Sequence, residues 1–287
     1  MRPSLKTLGL ALALSALTTV ATAGPTAKQP FRQAFIVILE NTTAAAAEQQ
    51  PYLSVLRQRG AYLAQHYGVT HPSQPNYIAL VSGQTAGIQH DGKAELDIRH
   101  LGDLLEAKGK TWRVYAEGYP GGCFTGEVQG KYVRKHVPFL SFNNVRLSPA
   151  RCANIVSADR LDDDVAKGKL ADVTFYIPDQ DNDGHDTGPV YADRWLKARL
   201  GRYLDNAAFL RDRLAVVTFD EDDYSHDNRI YTVLLGSRVQ PGATVTERTD
   251  HYRLLKTLET GLGLGDLGQQ DAPAKPIDGI WSSRGGK

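Results

Sequence analysis

The chain is poor in cysteine and methionine, with two cysteines and one methionine in 287 residues. Neither Cys123 nor Cys152 belongs to a C-x-x-C pair, which disfavours a structural zinc site built on closely spaced thiolates. A charge excess is also missing. Lysine and arginine number 33 against 32 aspartates and glutamates, so no basic footprint points to nucleic acid or an anionic membrane surface. After the leader no apolar run is long enough to cross a bilayer, which speaks against stable membrane insertion. No serine lies in a G-x-S-x-G setting, the elbow that marks most α/β serine hydrolases. Repeats and low-complexity stretches are absent as well. The composition, 41% hydrophobic and 23% charged, is that of an ordinary globular chain.

What is present begins with a leader. Arg2 and Lys6 give a basic start, an apolar stretch follows, and Ala21-Thr22-Ala23 is a small-x-small cleavage pattern. Residues 1–23 therefore read as a secretory signal peptide. The alternative, a membrane anchor, is opposed by Ser15, Thr18 and Thr19 within the run. The expected location is periplasmic or secreted. In that oxidising setting Cys123 and Cys152 are expected to pair, a link worth about 3–4 kcal/mol in the chain-entropy picture. Two buried thiols are the alternative.

Several β-branched runs stop abruptly at polar residues. Ala34 to Leu39 meets Glu40-Asn41, Val173 to Ile177 meets Pro178-Asp179, Leu214 to Phe219 meets Asp220-Glu221, and Ile230 to Leu235 meets Gly236. Trp112 to Tyr115 is a further candidate. Continuous apolarity marks strands covered on both faces, as in a parallel sheet. Helical patterns alternate with them: Pro51–Arg59 before Gly60, Asn76–Ser82 before Gly83, Ile98–Lys108 before Gly109, Tyr191–Leu204, and Tyr252–Thr260 before Gly261. A glycine just past a helical run is a common cap. The expected fold class is α/β, a central mostly parallel sheet with helices on both faces. It forms one domain over 24–287, with an irregular, disulfide-stapled insertion around 118–162.

Ligands of such sheets gather at the carboxyl ends of the strands, and here three strand ends carry acids and amides. Asp179-Gln180-Asp181-Asn182-Asp183-Gly184 imitates the start of an EF-hand, but Val190 stands where the bidentate glutamate is required, so an EF-hand is excluded. Clustered carboxylates at a strand end are costly without a cation, and oxygen ligands suit Mg²⁺, Ca²⁺ or Mn²⁺. Ser73, in HPSQPNYIALVSG at His71–Gly83, lies at a helix start, where backbone N–H groups and the dipole favour anions. Pro72 and Pro75 restrict the backbone around it. It is either a helix cap or an aimed hydroxyl.

Four motifs together carry a resemblance: Ile38-Leu39-Glu40-Asn41, HPSQPNYIALVSG, NDGHDT at Asn182–Thr187, and TFDEDD at Thr218–Asp223. In this order the chain resembles the phosphoesterase family of bacterial and fungal acid phosphatases and related phospholipase C enzymes, within the alkaline-phosphatase-like superfamily. The resemblance implies that Ser73 is a nucleophile that forms a phosphoseryl intermediate and that His185, with Asp186 near it, binds phosphate or assists the leaving group. It implies one divalent metal held by Glu40, Asn41, Asp220 and Glu221, with Asn76 and His251 binding phosphate or supporting the residues that do. The scarcity of histidine in that ligand set argues against a two-zinc site. The function so implied is an exported metal-dependent phosphomonoesterase acting on a small phosphate ester. A phospholipase C-like phosphodiesterase and a non-catalytic phosphate- or metal-binding protein are the alternatives. His66, His90, His100 and His136 receive no role, and His226 stays open.

Overall fold

A computed structural model describes Met1 and residues 29–282; the expected signal peptide lies outside the described residues. Eight strands form the main sheet: β1 (Gln33–Leu39), β2 (Ala61–Leu63), β3 (Trp112–Ala116), β4 (Ile155–Ser157), β5 (Val173–Ile177), β6 (Arg213–Phe219), β7 (Thr232–Leu235) and β8 (Thr244–Val245). Their order across the sheet is β8-β2-β7-β6-β1-β5-β3-β4. β1 pairs in parallel with both β5 and β6, and β3 in parallel with β5 and β4. β7 runs antiparallel to β6 and β2. The expected strand Ile230–Leu235 is thus two pieces. Ile230 joins a small sheet with His66–Tyr67 and Thr249–Asp250, while Thr232–Leu235 reverses direction in the main one.

The unbroken apolar runs follow from cover on both sides. Ala34, Ile36 and Ile38 of β1 enter one core with Val173 and Phe175 of β5. Phe35, Val37 and Leu39 enter the other with Ala215, Val217 and Phe219 of β6. The second face is closed by α1 (Pro51–Arg59), through Leu53 and Leu56, and by α5 (Pro189–Leu204), through Leu196 and Leu200. The first face is closed by α2 (Ser73–Ser82), α3 (Leu101–Ala107) and α6 (His251–Leu262). Between these, α4 (Leu161–Ala166) begins at the end of the 118–162 segment. Helices therefore cover both faces of a mostly parallel sheet.

Four helices differ from expectation at their boundaries: α5 starts two residues early, at Pro189, which fits the first helical position, and the other three differ for local reasons. α2 starts at Ser73, because Pro75 lies within the first turn, where no intrahelical N–H is required. α3 starts at Leu101, because His100 caps it: its Nδ1 accepts the Gly102 N–H at 3.0 Å, and Asp103 Oδ2 accepts the His100 N–H at 2.9 Å. α6 runs through Gly261 to a cap at Gly263. Gly261 is glycine for packing, since a Cβ there would lie 2.2 Å from the Phe31 ring.

The 118–162 segment is stapled by a Cys123–Cys152 disulfide but is not peripheral. It contributes Val137, Phe139, Leu140 and Phe142 to the core and β4 to the sheet edge.

Two stability predictions arise from α2 and α6. Gly83 ends α2 at φ 70°, and a Cβ there would lie 2.3 Å from Asp271 Oδ1. Gly83→Ala is expected to cost more than about 1 kcal/mol in a denaturant titration. Asp271 is buried and accepts the N–H groups of Leu267 and Gln269. Burial, then Asp271, pushes buried Glu259 up to about 9. The unfolded chain releases this proton from about pH 4.5 and the fold retains it to about 9, so stability falls as pH rises through that window. Glu259→Gln should raise Tm at pH 8 by about 2–4 °C and by much less at pH 5. Equal shifts at both values would reject this reading.

Candidate active site

β5, β1 and β6 are neighbours, so their polar extensions meet at one sheet edge. Glu40, Asp183, Asp220 and Glu221 are all buried there. Asn41 turns the chain off β1 at φ 41°, a left-handed conformation that asparagine tolerates better than most residues. Asp183 is selected from the acidic 179–186 loop by a turn in which its N–H reaches the Asp179 carbonyl at 2.8 Å. Gly184, at φ 100°, follows it. The Glu40 N–H in turn donates to the Asp183 carbonyl at 3.0 Å, and Asp220 N–H to the Leu39 carbonyl at 3.1 Å.

Ser73 faces this group from the first position of α2. Pro72 occupies the cap position and no side chain caps the helix, so Ser73 is not the cap. Its hydroxyl is 3.0 Å from Glu40 Oε2, 3.0 Å from Glu221 Oε1 and 3.4 Å from Asn41 Oδ1. One turn further, Tyr77 donates to the other oxygen of Glu40 at 2.6 Å. Residues four apart share a helix face, so α2 holds both carboxylate oxygens of Glu40.

Sequence reasoning missed three contributors. His136, fully buried, lies with Nε2 3.1 Å from Glu40 Oε1 and Nδ1 3.4 Å from Asp183 Oδ2, and its ring stacks on Tyr77 at 5.0 Å. Asp183 was only one of several acids in its loop. His71 has Nδ1 2.5 Å from Glu221 Oε2, and its ring stacks on Tyr224 at 4.1 Å. The signal for His71 was its place in the proline-flanked stretch; His136 had none.

The remaining expected residues separate into rim and support. His185 and Asp186 lie at the rim, with His185 Nδ1 2.8 Å from Asp186 Oδ1 and the His185 ring 6.5 Å from that of His136. Asp186 also pairs with Lys131 at 2.9 Å. His251 is buried, with Nε2 2.6 Å from the Asp220 carbonyl, so this nitrogen supports the strand end. Asn76 accepts the N–H groups of Val69 and Thr70 and donates to the carbonyls of Thr70 and Pro72. Its amide is committed to the 69–72 backbone, so a phosphate contact requires breaking one of those bonds. Asp222 organises the following turn by accepting the N–H groups of Tyr224 and Asn228.

The electrostatics are those of a crowded, buried acid cluster. Burial raises Glu40 and Asp183 well above the carboxylate range, and neighbouring acids add to the effect. Burial likewise pushes Asp220 up to about 7, and burial with Asp220 pushes Glu221 up to about 9. Burial holds His136 well below its usual value, in the neutral form that binds metals. Asp183 Oδ2, Asp220 Oδ2 and both His136 ring nitrogens have no hydrogen-bond partner among the described residues despite full burial; the close His136 contacts lack bonding geometry. Glu40, His136 and Asp183 can each direct one ligand atom into a space where all lie within 4.8 Å. Orphaned, mutually repelling donors of this kind fit a metal ion.

The phosphoesterase family model matches residues 40–265. A probable acid phosphatase of Kluyveromyces lactis is 34% identical over 261 residues, which cover 86% of this chain and 62% of the relative. A phosphatidylinositol-3-phosphatase of Mycobacterium tuberculosis is 39% identical over 259 residues, covering 88% and 83%. An acid phosphatase of Aspergillus fumigatus is 32% identical over 268 residues, covering 89% and 60%. The chain thus spans about three fifths of the fungal relatives. The fold is shared with a Vibrio parahaemolyticus protein of the alkaline phosphatase superfamily, at TM-score 0.59 and 15% identity over 90% of this chain and 76% of that one. Sequence match and sheet architecture agree, and the chain belongs to the phosphoesterase family.

Proposed function

We propose that this chain is an exported, metal-dependent phosphomonoesterase of the acid phosphatase kind, acting through a phosphoserine at Ser73. The observation that carries the reading is a buried serine hydroxyl held between the carboxylates of Glu40 and Glu221 at the start of α2. A hydroxyl so placed can pass its proton to a carboxylate as its oxygen bonds phosphorus. The ester P–O bond breaks and the alcohol departs. On this reading His185, whose Nδ1 contacts Asp186, would protonate that leaving oxygen from the rim. Water then attacks phosphorus, splits the Ser73–phosphate bond and returns the hydroxyl. Acid phosphatases among the relatives favour the monoester reading.

Glu40, Asn41, Asp220 and Glu221 would hold the metal, joined by Asp183 and His136. When bound, a divalent ion would neutralise phosphoryl charge and lower the cost of ionising the serine. Mg²⁺, Ca²⁺ and Mn²⁺ suit the oxygens, while the His136 nitrogen favours Mn²⁺ over Ca²⁺. Parallel assays with p-nitrophenyl phosphate and bis(p-nitrophenyl) phosphate test the substrate class. The monoester is expected to show the larger kcat/KM; a larger value for the diester would establish the phosphodiesterase alternative instead.

A further inference from the structure

The turn Arg134–His136 packs against α2, and its three side chains do three different things. Arg134 is buried and donates to the carbonyls of Thr125, Ala94 and Leu140 at 3.1, 2.8 and 3.0 Å. Those bonds fix the turn. His136 enters the carboxylate group beside Glu40 and Asp183. Lys135 lies between them, with a side chain only 17% exposed. It is therefore anchored on both sides in the chain and has little freedom to sample solvent.

The partner of Lys135 is Asp91. The other oxygen of Asp91 accepts the N–H of Gln74, the residue after Ser73, at 3.0 Å. Gln74 returns the contact by accepting the Gly92 N–H at 2.8 Å. Asp91 thus ties Lys135 to the first turn of the nucleophile's helix. The ammonium interacts electrostatically with Glu40 and Asp220 as well as with Asp91, and Glu221 senses both Lys135 and Asp91. Nothing in the mechanism above uses this pair.

The charges around Ser73 give it a purpose. Four buried carboxylates cluster at this sheet edge, and one divalent ion offsets only two of the charges they carry when ionised. A phosphate monoester brings up to two negative charges, a diester one. Removing a fixed cation penalises a dianion about twice as much as a monoanion at the same position. We propose that Lys135 binds the substrate phosphoryl group and favours phosphate monoesters over diesters at the Ser73 centre, with Asp91 as its tether. On this view Asp91 competes with substrate for the ammonium. The proposal rests on the phosphomonoesterase reading.

Lys135→Met, Lys135→Arg and Asp91→Asn in the full chain test it. For Lys135→Met, kcat/KM should fall roughly tenfold or more with p-nitrophenyl phosphate and at most about threefold with the bis ester. Binding of inorganic phosphate, measured by calorimetry, should weaken by a similar factor. Lys135→Arg should restore most of both. Asp91→Asn, which releases the ammonium, should lower the monoester KM. Equal losses on the two esters, or unchanged phosphate affinity in Lys135→Met, would overturn the proposal. Should Lys135→Met fail to fold, an unchanged or higher monoester KM in Asp91→Asn overturns it instead. A wild-type protein that hydrolyses neither ester refutes the proposed function, while the phosphate titration still judges Lys135.

Discussion

Ser73→Ala is expected to lower kcat/KM for a phosphate monoester by on the order of 10³–10⁴-fold or more, with the fold intact. The fold should survive because Ser73 is not the helix cap: Pro72 holds that position, and the hydroxyl points outward to the polar groups of Glu40, Glu221 and Asn41. The variant deletes one oxygen and leaves no large cavity. Acid quenching during turnover should trap phosphate on the wild-type chain and none on the variant. A variant with turnover within tenfold of wild type would remove Ser73 from the mechanism, whatever its bonding. Near-UV circular dichroism separates that outcome from misfolding.

Exhaustive chelation should abolish the same activity and lower Tm by several degrees, both restored by a divalent ion. At a free ion concentration 100 times Kd, binding to the folded state alone adds about 2.7 kcal/mol. A single substitution gives a sharper test, through a reversal of sign. In the ion-free protein, Asp183→Asn removes one of four buried, mutually repelling carboxyls, so it should leave Tm unchanged or higher. With the ion bound, it removes a ligand and should lower Tm. If Asp183→Asn shifts Tm equally with and without ion, Asp183 does not hold the metal. Activity that survives chelation would reject the metal altogether.

The sequence made the sheet legible because its central strands are buried on both faces. That burial forbids alternation, and the runs at β1, β5 and β6 stand out for this reason. It made the site partly legible because those runs end in acids. Which acid turns inward was not legible in the 179–186 loop. There Asp179, Asp181, Asp183 and Asp186 are chemically equivalent, and only the turn at Asp183 and Gly184 decides. His136 was invisible for another reason. It sits in an irregular segment without periodicity, and only the packing of that segment against α2 brings it to Glu40. Gly261 misled because a glycine that admits the Phe31 ring is indistinguishable, in sequence, from one that ends a helix.

The position of β1 in the sheet bears on how the chain acquires its shape. The first long strand sits between β5 and β6, whose residues come well over a hundred positions later in the chain. Until those residues are available, β1 has no lateral partner on either side. No local hairpin pairs β1, and the loops to be closed around it are long, so completing the sheet should be slow and governed by late, distant encounters. A nascent chain that ends before residue 213 leaves one flank of an apolar strand bare and prone to self-association. Its chemistry would then emerge all at once, when β6 docks beside β1 and brings Asp220 and Glu221 to the serine.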